Sequence, residues 1–310
     1  MDVSVVIVNW NTRDILRDCL RTIYDQTRHV AFEVIVVDNA SQDGSPDMVR
    51  SEFPQAHLVA NSTNVGYAAA NNQGIKIAQG RYLLVLNSDT LILDRALDKM
   101  VDFADAHPQA GVLGCRVRNR DGTLQPTCFM FPSALNSLLS ALYLNKLFPR
   151  SRFFGREAMT WWGRNDVREV QVVTGCFLFL RREALEAVGC MDERFFMYAE
   201  ETDWCYRFKK RGWQVLFTPA AEIVHLGGQS TAQRSAEMLV QLRLSILKFV
   251  RKNQGAAAWA VVCLNTILFL ALRVPVWAAI RLLVPAKRPQ ASLRIQAYLQ
   301  GLRKVAFSRG

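Results

Sequence analysis

The chain has 310 residues, of which 50% are hydrophobic, and it carries a formal net charge of +11. No Asp or Glu follows Glu237, whereas 12 Lys and Arg lie between Arg243 and Arg309, so the preceding residues hold 26 basic and 27 acidic side chains. The positive charge therefore belongs to the carboxyl-terminal part, which argues against a nucleic-acid-binding face on the rest of the chain.

The seven cysteines are scattered, odd in number and without C-x-x-C spacing, which is typical of reduced core residues in a cytosolic setting rather than of a zinc site. The amino-terminal Met-Asp-Val-Ser lacks the basic segment of a secretory signal peptide, and we expect none. The length allows one large domain or two ordinary ones.

Apolar runs alternate with helical patterns over the first 106 residues. The predicted strands lie at Val3–Val8, Glu33–Val37, His57–Ala60 and Leu83–Leu86, and the predicted helices at Ile15–Ile23, after Pro46, at Tyr67–Ala78 and at Asp94–Ala106. Alternation with such short connections predicts an α/β fold with a mostly parallel sheet flanked by helices.

The second half is less regular. Residues 120–168 form a long connection with a helix-like run at Leu135–Leu147, and connections of this length are usually functional in compact domains. Val170–Leu180 is predicted as a strand, and Val215–Phe217 and Ile223–His225 as two short final strands.

The carboxyl-terminal part contains an apolar stretch without charge, Ala256–Leu272, between Arg251-Lys252 and Arg273. A second apolar piece, Val274–Ile280, follows. The stretch is at the lower length limit for a membrane span, so a tilted span, a shallow hairpin and an interfacial anchor all fit it. A buried helix pair is the alternative. We predict a membrane-associated tail whose basic flanks attract anionic lipid.

The run Leu83–Leu86 ends abruptly at Asn87-Ser88-Asp89. In open α/β sheets, ligands bind at the carboxyl edge of the strands, and a carboxylate there suits a hard divalent cation that also holds phosphate oxygens. The alternative is that Asp89 caps the next helix.

Other polar residues stand at predicted strand ends or turns. No phosphate-binding glycine motif of the P-loop or G-x-G-x-x-G type is present, so a nucleotide would have to be held by side chains and ordinary turns. The candidates for that role are Asn9, Asp38, Asn39, Asn64, Gly66, Asn71, Asn87 and Ser88. Their alternative role is to form turns, in which Asp38 would bond to its own backbone.

The order of these motifs provides a more specific indication. The sequence contains, in turn, Val6-Ile7-Val8-Asn9-Trp10-Asn11, Val36-Val37-Asp38-Asn39-Ala40-Ser41, Asn64-Val65-Gly66-Tyr67-Ala68, Leu86-Asn87-Ser88-Asp89, Thr174-Gly175-Cys176, Arg181-Arg182, Glu200-Glu201-Thr202-Asp203 and His225-Leu226-Gly227-Gly228-Gln229-Ser230. Over roughly residues 3–231 this series resembles the inverting family 2 glycosyltransferases, and most closely their bacterial rhamnosyltransferase-like branch.

The resemblance implies a GT-A fold, in which a Rossmann-like nucleotide half merges with an acceptor half. We expect a glycosyltransferase domain over residues 1–237, with its nucleotide half at about 1–118 and its acceptor half at about 119–237. Residues 238–310 would then form the basic, apolar helical tail.

The resemblance also implies roles for individual residues. Asp38 would hold the base of the donor, and Asn87-Ser88-Asp89 corresponds to the family's D-x-D motif, with Asp89 as a ligand of Mg²⁺ or Mn²⁺. Asn87 replaces the first acid of that motif. His225 matches a position that holds the metal or the diphosphate in some members, and a neutral imidazole would favour Mn²⁺.

The acceptor hydroxyl needs a general base, which the resemblance places in Glu200-Glu201-Thr202-Asp203. The family's base corresponds to Glu201, where the usual residue is Asp. Asp203 is the second candidate for the base, and its alternative is an i, i+4 ion pair with Arg207.

These expectations combine into an inverting glycosyltransferase that moves a sugar from a nucleoside-diphosphate sugar to a lipid-linked or polysaccharide acceptor. Rhamnose is the first candidate, with several UDP-sugars open, and the place of action is the cytoplasmic face of the bacterial inner membrane. The alternatives are a nucleotidyltransferase on a similar sheet and a non-catalytic, membrane-tethered sugar-binding module.

Overall fold

The computed structural model of the protein describes residues 1–227 and 235–306. Within these residues the strands are β1 (Val3–Asn9), β2 (Phe32–Asp38), β3 (His57–Ala60), β4 (Tyr82–Asn87), β5 (Thr90–Ile92), β6 (Ala110–Arg118), β7 (Cys128–Phe129), β8 (Arg168–Glu169), β9 (Val172–Val173), β10 (Phe177–Arg181) and β11 (Gln214–His225). The helices are α1 (Arg13–Gln26), α2 (Ser45–Glu52), α3 (Tyr67–Ile77), α4 (Ala96–Ala106), α5 (Ala134–Ala141), α6 (Leu144–Leu147), α7 (Arg182–Val188), α8 (Glu200–Lys210), α9 (Ser235–Leu283) and α10 (Arg288–Ala306).

The chain divides into two compact units. The sheet unit comprises Met1–Met130 and Trp162–Ser230, and the helical unit comprises Phe131–Trp161 and Thr231–Gly310. The segment 131–161, which the sequence places in the acceptor half, is thus grouped with the carboxyl-terminal helices. The predicted domain boundary after residue 237 stays a prediction.

The sheet unit is built on one large sheet with the strand order β3-β2-β1-β4-β10-β6-β11-β5, and β8 pairs with β11. The four strands from β3 to β4 are parallel, as is the long β6–β11 pair, whereas β10 runs antiparallel between β4 and β6. The prediction of an α/β fold with a mostly parallel sheet flanked by helices is therefore confirmed.

The central strands form because their apolar runs are buried on both faces. Every residue from Leu83 to Leu86 in β4 is fully buried, and α1 covers one face with its apolar stripe. On the other face α3 comes so close that a Cβ at Gly74 would lie 2.5 Å from Val6 Cγ1. The helix therefore needs glycine at this contact with β1.

Two elements at the far edge differ from the expectation. The two short final strands are one strand, β11, whose pairing with β6 is irregular between Thr218 and Glu222. The residues after Asp89 form a short strand, β5, which pairs antiparallel with the end of β11. A local pattern does not reveal β5, because three residues give no measurable period.

The helical unit contains α5, α6, α9 and α10. Gly255 interrupts α9 with φ +88° and ψ −178°, a conformation accessible essentially only to glycine, and it divides α9 into two arms. In the described part of the chain, one helical segment, Glu237–Leu283, has the length and apolar composition to cross a membrane.

Candidate active site at the carboxyl edge of the sheet

The parallel strands bring three predicted site residues side by side. Asn9, at the end of β1, is in register with Asp38 on β2, and its neighbour Val8 is in register with Asn87 on β4. Thr12, just after β1, donates to Asn9 Oδ1 at 2.6 Å and lies 3.1 Å from Ser88 Oγ. The motif that contains Asn9 and the motif that contains Ser88 thus meet through the buried hydroxyl of Thr12.

Asp38 is buried and its carboxylate is hydrogen-bonded within the protein. Asn9 Nδ2 donates to one oxygen at 2.9 Å, and the backbone N–H of Ser41 donates to the other at 2.9 Å. The second contact is the turn bond given above as the alternative role. Asp38 therefore fixes the β2 turn, and a part in holding the base stays a prediction.

Asn39 ties the end of β2 to the turn before α3. Its amide donates to Asn64 Oδ1 and to the carbonyl of Gly66, and its carbonyl accepts from the N–H of Val65 and from Asn61 Nδ2. The turn is held on both sides, which fixes the start of α3.

Gly66 permits a close approach of the segment that precedes α8. It has φ +88°, and a Cβ there would lie 2.7 Å from Phe196 Cδ2. The next residue, Tyr67, donates its N–H to the carbonyl of Phe196 at 2.9 Å. The turn before α3 and the segment leading to the predicted base are therefore in direct contact.

Tyr198 and Ala199 both have positive φ, at 67° and 65°, immediately before Glu200. Two successive non-glycine residues in this region are strained, and such strain clusters at functional sites. The strained turn presents Glu200 and Glu201 at the amino terminus of α8, where the helix dipole favours negative charge.

Tyr67 connects the strand edge to this helix. Its buried hydroxyl lies 3.0 Å from Asn87 Oδ1 and 3.1 Å from the carbonyl of Gly175, and it can donate to either. A Cβ at Gly175 would be in van der Waals contact with both the Tyr67 hydroxyl and Glu201 Cβ. Burial, with the nearby charges of Glu200 and Glu201, raises the pKa of Tyr67 well above its ordinary value, so the hydroxyl stays protonated.

Glu200 and Glu201 form a closely coupled acidic pair. Burial raises the pKa of both carboxyls, and the charge of Glu201 raises that of Glu200 further. One oxygen of each is buried without a hydrogen-bond partner among the described residues. A carboxylate with a raised pKa and an uncommitted oxygen has the properties of a general base.

Asp203 is fully buried one turn further along α8. Its carboxylate accepts from Arg207 Nε at 2.9 Å, which is the i, i+4 ion pair named above as its alternative role. The guanidinium of Arg207 also donates to the carbonyls of Val188 and Cys190. Asp203 thus helps to hold the loop before α8.

Asp89 and His225 meet across the β5–β11 pair. His225 Nε2 lies 3.1 Å from Asp89 Oδ1 and 3.4 Å from Asn87 Nδ2. His225 Nδ1 lies 2.7 Å from Gln125 Oε1, and the amide of Gln125 donates to Asn119 Oδ1. Gln125 Oε1 can accept a hydrogen bond from a protonated Nδ1, while Nε2 faces the carboxylate of Asp89.

Asn71, another predicted donor-binding residue, makes one side-chain hydrogen bond that the structure shows. Its amide donates to the carbonyl of Tyr67 one turn earlier, and its buried Oδ1 has no hydrogen-bond partner among the residues described. The adjacent Asn72 bonds both ways with the backbone of Met191. Asn72 therefore fixes the 191–199 loop, and Asn71 offers an acceptor to the site.

The structure describes only part of the last motif, His225–Ser230. His225, Leu226 and Gly227 are described, and Leu226 donates its N–H to the carbonyl of Asp89 at 2.8 Å. Gly228, Gln229 and Ser230 lie outside the described residues.

One cavity of the described chain lies away from these residues. It has a volume of about 320 Å³ and is lined by Arg81, Tyr82, Arg181, Arg182, Glu183 and Glu186. Arg181 and Arg182 use their guanidinium groups to bind loop carbonyls, including those of His107 and Gly80. The paired arginines of the sequence motif thus have a structural role at the opposite edge of the sheet.

Three residues that link the parts of the site, Tyr67, Thr12 and Gln125, could not be assigned that role from the sequence. Tyr67 stands within a quoted motif, but its contact with Asn87 depends on packing between distant segments. Thr12 and Gln125 lie in loops without a recognisable motif. A polar residue three positions after a strand end is the only local signal that Thr12 gives.

Comparison with known proteins agrees with this geometry. Residues 4–189 match the family described as glycosyl transferase family 2. The N-acetylglucosaminyl-diphospho-decaprenol L-rhamnosyltransferase of Mycobacterium tuberculosis is 31% identical over 222 residues, which cover 66% of this chain and 70% of that protein. The O-antigen biosynthesis protein RfbC of Myxococcus xanthus is 28% identical over 240 residues, covering 76% of this chain and 18% of that protein.

A solved structure supports the fold. The mannosyltransferase PcManGT from Pyrobaculum calidifontis, in complex with GDP-Man and Mn²⁺, superimposes with a TM-score of 0.57 at 21% identity, covering 99% of this chain and 88% of that one. The fold and the strand-edge site define the class of GT-A glycosyltransferases. Within that class, the chain belongs to glycosyl transferase family 2.

Proposed function

We propose that the protein transfers a sugar, with rhamnose as the first candidate, from a nucleoside-diphosphate donor to a hydroxyl of a lipid-linked or polysaccharide acceptor. The observation that carries this proposal is the meeting of two groups at one edge of the sheet. The Asp89–His225 pair and the Glu200–Glu201 pair are joined through Asn87, Tyr67 and Gly175. A transferase needs both an acidic base and a place for the leaving diphosphate.

The Asp89–His225 pair fits a divalent cation. The described residues contain no cluster of three or more acidic, His or Cys side chains that could hold a metal, so the protein would contribute few ligands. That suits a cation held mainly by one or two protein groups, substrate phosphates and water. Neighbouring ligands of such a cation lie about 3 Å apart, since each bond is about 2.1 Å. The observed 3.1 Å between Asp89 Oδ1 and His225 Nε2 fits this spacing.

A bound cation would neutralise the negative charge that develops on the leaving nucleoside diphosphate. The chain's own groups divide the remaining tasks. Glu201 accepts the proton of the acceptor hydroxyl as its oxygen bonds to the anomeric carbon and the bond to the diphosphate breaks. Attack from the opposite face inverts that carbon. Asn9, Asp38, Asn39, Asn64, Gly66, Asn71 and Ser88 are proposed to shape or contact the donor.

The relatives and the tail support the proposed cellular setting. One relative is named N-acetylglucosaminyl-diphospho-decaprenol L-rhamnosyltransferase, and another is named O-antigen biosynthesis protein RfbC. The apolar segment Glu237–Leu283 has the composition of a membrane-associated helix. We place the protein at the cytoplasmic face of the bacterial membrane, in the synthesis of a cell-surface glycan.

The test is a panel of dTDP-rhamnose, UDP-sugars and GDP-Man, each with bacterial lipid extract as acceptor and Mn²⁺ or Mg²⁺ present. We expect nucleoside diphosphate release with one donor and a labelled sugar in the lipid fraction. Release of pyrophosphate would point to a nucleotidyltransferase instead. Donor binding without any turnover would point to a sugar-binding module.

A further inference from the structure

The outer surface of α5 and α6 is apolar. Leu135, Leu138, Leu142 and Leu147 have exposed fractions between 36% and 65%, and Phe148 is 51% exposed. The first three recur at the spacing of one helix face. We call these five residues the α5–α6 apolar surface. A soluble helix would turn such a face towards its core.

The inner side of α5 mixes polar and apolar residues. Asn136 and Ser140 are 8% exposed or less, as are Leu139 and Ala141. They lie on the helix that packs against α9, where Asn265 Nδ2 donates to the carbonyl of Ala134 and to Ser137 Oγ, each at 2.9 Å. Arg273 donates to the carbonyls of Ser140 and Ala141. Hydrogen bonds thus join α5 to α9, and leucines face outwards.

The second arm of α9 also exposes large apolar side chains. Its buried positions combine Thr266 and Arg273 with Val262, Phe269 and Leu270. Several other large apolar side chains are between 44% and 66% exposed, namely Val261, Leu264, Leu272 and Val276. Large apolar side chains on the outside of a helical unit, in addition to those in its interior, are typical of a surface that contacts another apolar phase.

The charge of the helical unit is also one-sided. Residues 131–161 and 231–310 contain 17 Lys and Arg but only two acids, Glu157 and Glu237. The remaining residues hold the other 21 basic and 25 acidic side chains. A surface that combines exposed leucines with this excess of positive charge is complementary to an anionic phospholipid bilayer.

We propose that the α5–α6 apolar surface is a second membrane-contacting element, which enters the headgroup–acyl boundary of an anionic bilayer together with the second arm of α9. This proposal rests on the proposed membrane setting. It extends that setting because it assigns lipid contact to residues 131–161, which lie far from the tail in sequence. Exposed leucines bury apolar area there, while Lys146, Arg150 and Arg152 remain at the charged headgroups.

The test uses the full chain and vesicles of phosphatidylethanolamine and phosphatidylglycerol in a 3:1 ratio. Flotation measures binding of the wild type, of the triple variant Leu138→Gln/Leu142→Gln/Leu147→Gln, and of a control, Ile77→Gln/Val167→Gln, which changes exposed apolar residues of the sheet unit. We expect the triple variant to bind at least about tenfold more weakly, because three exposed leucines no longer transfer into the apolar part of the interface. The control should keep wild-type binding.

Hydrogen exchange with and without vesicles gives the second readout. We expect slower exchange at residues 134–153 of the wild type on vesicle addition. Unchanged exchange there, with protection confined to residues 256–306, would overturn the proposal, as would wild-type binding by the triple variant. Nucleoside diphosphate release measured without vesicles tests the transferase proposal separately, and the triple variant should retain it.

Discussion

The acidic residues Glu200 and Glu201 affect stability and catalysis in opposite directions. The raised pKa values of Glu200 and Glu201 mean that the folded protein binds more protons than the unfolded chain over the pH range between the ordinary and the raised values. Stability contributed by this pair is therefore lost as pH rises through that range. The same raised pKa makes Glu201 a stronger base at neutral pH.

Glu201→Gln should separate these effects. We predict that turnover falls by about 10²–10⁴-fold. The melting temperature at pH 7 should not fall, because a buried charge is removed. In the wild type, turnover should rise with pH through the raised pKa of Glu201, since only the ionised form accepts a proton. Steady-state nucleoside diphosphate release at several pH values, with thermal unfolding, measures all three.

Asp203→Asn is the matched control for that substitution. It removes the ion pair with Arg207, so it should lower stability while turnover falls less than in Glu201→Gln. The reverse order of activity losses would assign the base to Asp203.

Gln125 is predicted to act on the cation through His225. Removing the partner of a ligating imidazole typically costs 10–100-fold in metal affinity, so Gln125→Ala should weaken Mn²⁺ binding by about tenfold or more. Calorimetry with Mn²⁺ and nucleoside diphosphate measures the affinity, and ¹⁵N spectra of labelled histidine report which ring nitrogen of His225 holds the proton. The exposed Gln79→Ala serves as the control. Unchanged affinity and an unchanged tautomer in Gln125→Ala would contradict this role.

Among the larger elements, the turn before α3 contacts the segment before α8, and this contact joins the proposed donor side to the proposed base. Gly66→Ala would add a Cβ 2.7 Å from Phe196 at a positive φ. We predict a loss of about 1–3 kcal/mol from backbone strain alone, a further loss from the clash, and lower turnover because Glu200 and Glu201 shift. Chemical denaturation and nucleoside diphosphate release are the measurements.

Gly189→Ala supplies a control with nearly the same backbone geometry. Gly189 has φ +84° and ψ +171°, close to the +88° and +168° of Gly66, and nothing lies within 4 Å of an added Cβ. The difference between the two variants isolates the clash with Phe196. Equal stabilities and equal turnover would show that the contact has no role in placing the acids.

The elements also show how far the sequence could lead. Local apolar runs predict β1, β2 and β4, and the polar residues after them predict the edge that holds Asn9, Asp38 and Asn87, because strand period and parallel pairing are local rules. The meeting of Asp89 with His225 is different. It depends on the register of β11 on β5, over a separation of more than 130 residues. No local pattern encodes that register.

The role of Tyr67 was hidden for the same reason. Its hydroxyl reaches Asn87 and Gly175 only once α3 packs on the sheet, and the partners are 20 and 108 residues away. The grouping of residues 131–161 with the carboxyl-terminal helices was likewise not readable, since it rests on polar contacts such as that of Asn265 with Ala134.

For the whole molecule, the main feature is the separation of charge between the two units. The helical unit has 17 basic and two acidic residues, whereas the rest of the chain has 21 basic and 25 acidic residues. Such a distribution attracts one part of the molecule to an anionic surface and leaves the remainder weakly repelled. Each Lys or Arg near an anionic membrane contributes about 1 kcal/mol to the free energy of membrane binding. This attraction falls off over a Debye length, which is about 8–10 Å at physiological salt concentrations.

We therefore predict that raising the salt concentration from about 0.05 M to 0.5 M weakens binding to phosphatidylglycerol vesicles by more than tenfold, because screening shortens the range of these attractions. Binding to purely phosphatidylcholine vesicles should be weaker at low salt and nearly independent of salt, since only apolar contacts remain. Vesicle flotation of the full chain at each salt concentration provides the measurement. Equal salt dependence on both vesicle types would show that the basic residues of the helical unit do not face the lipid.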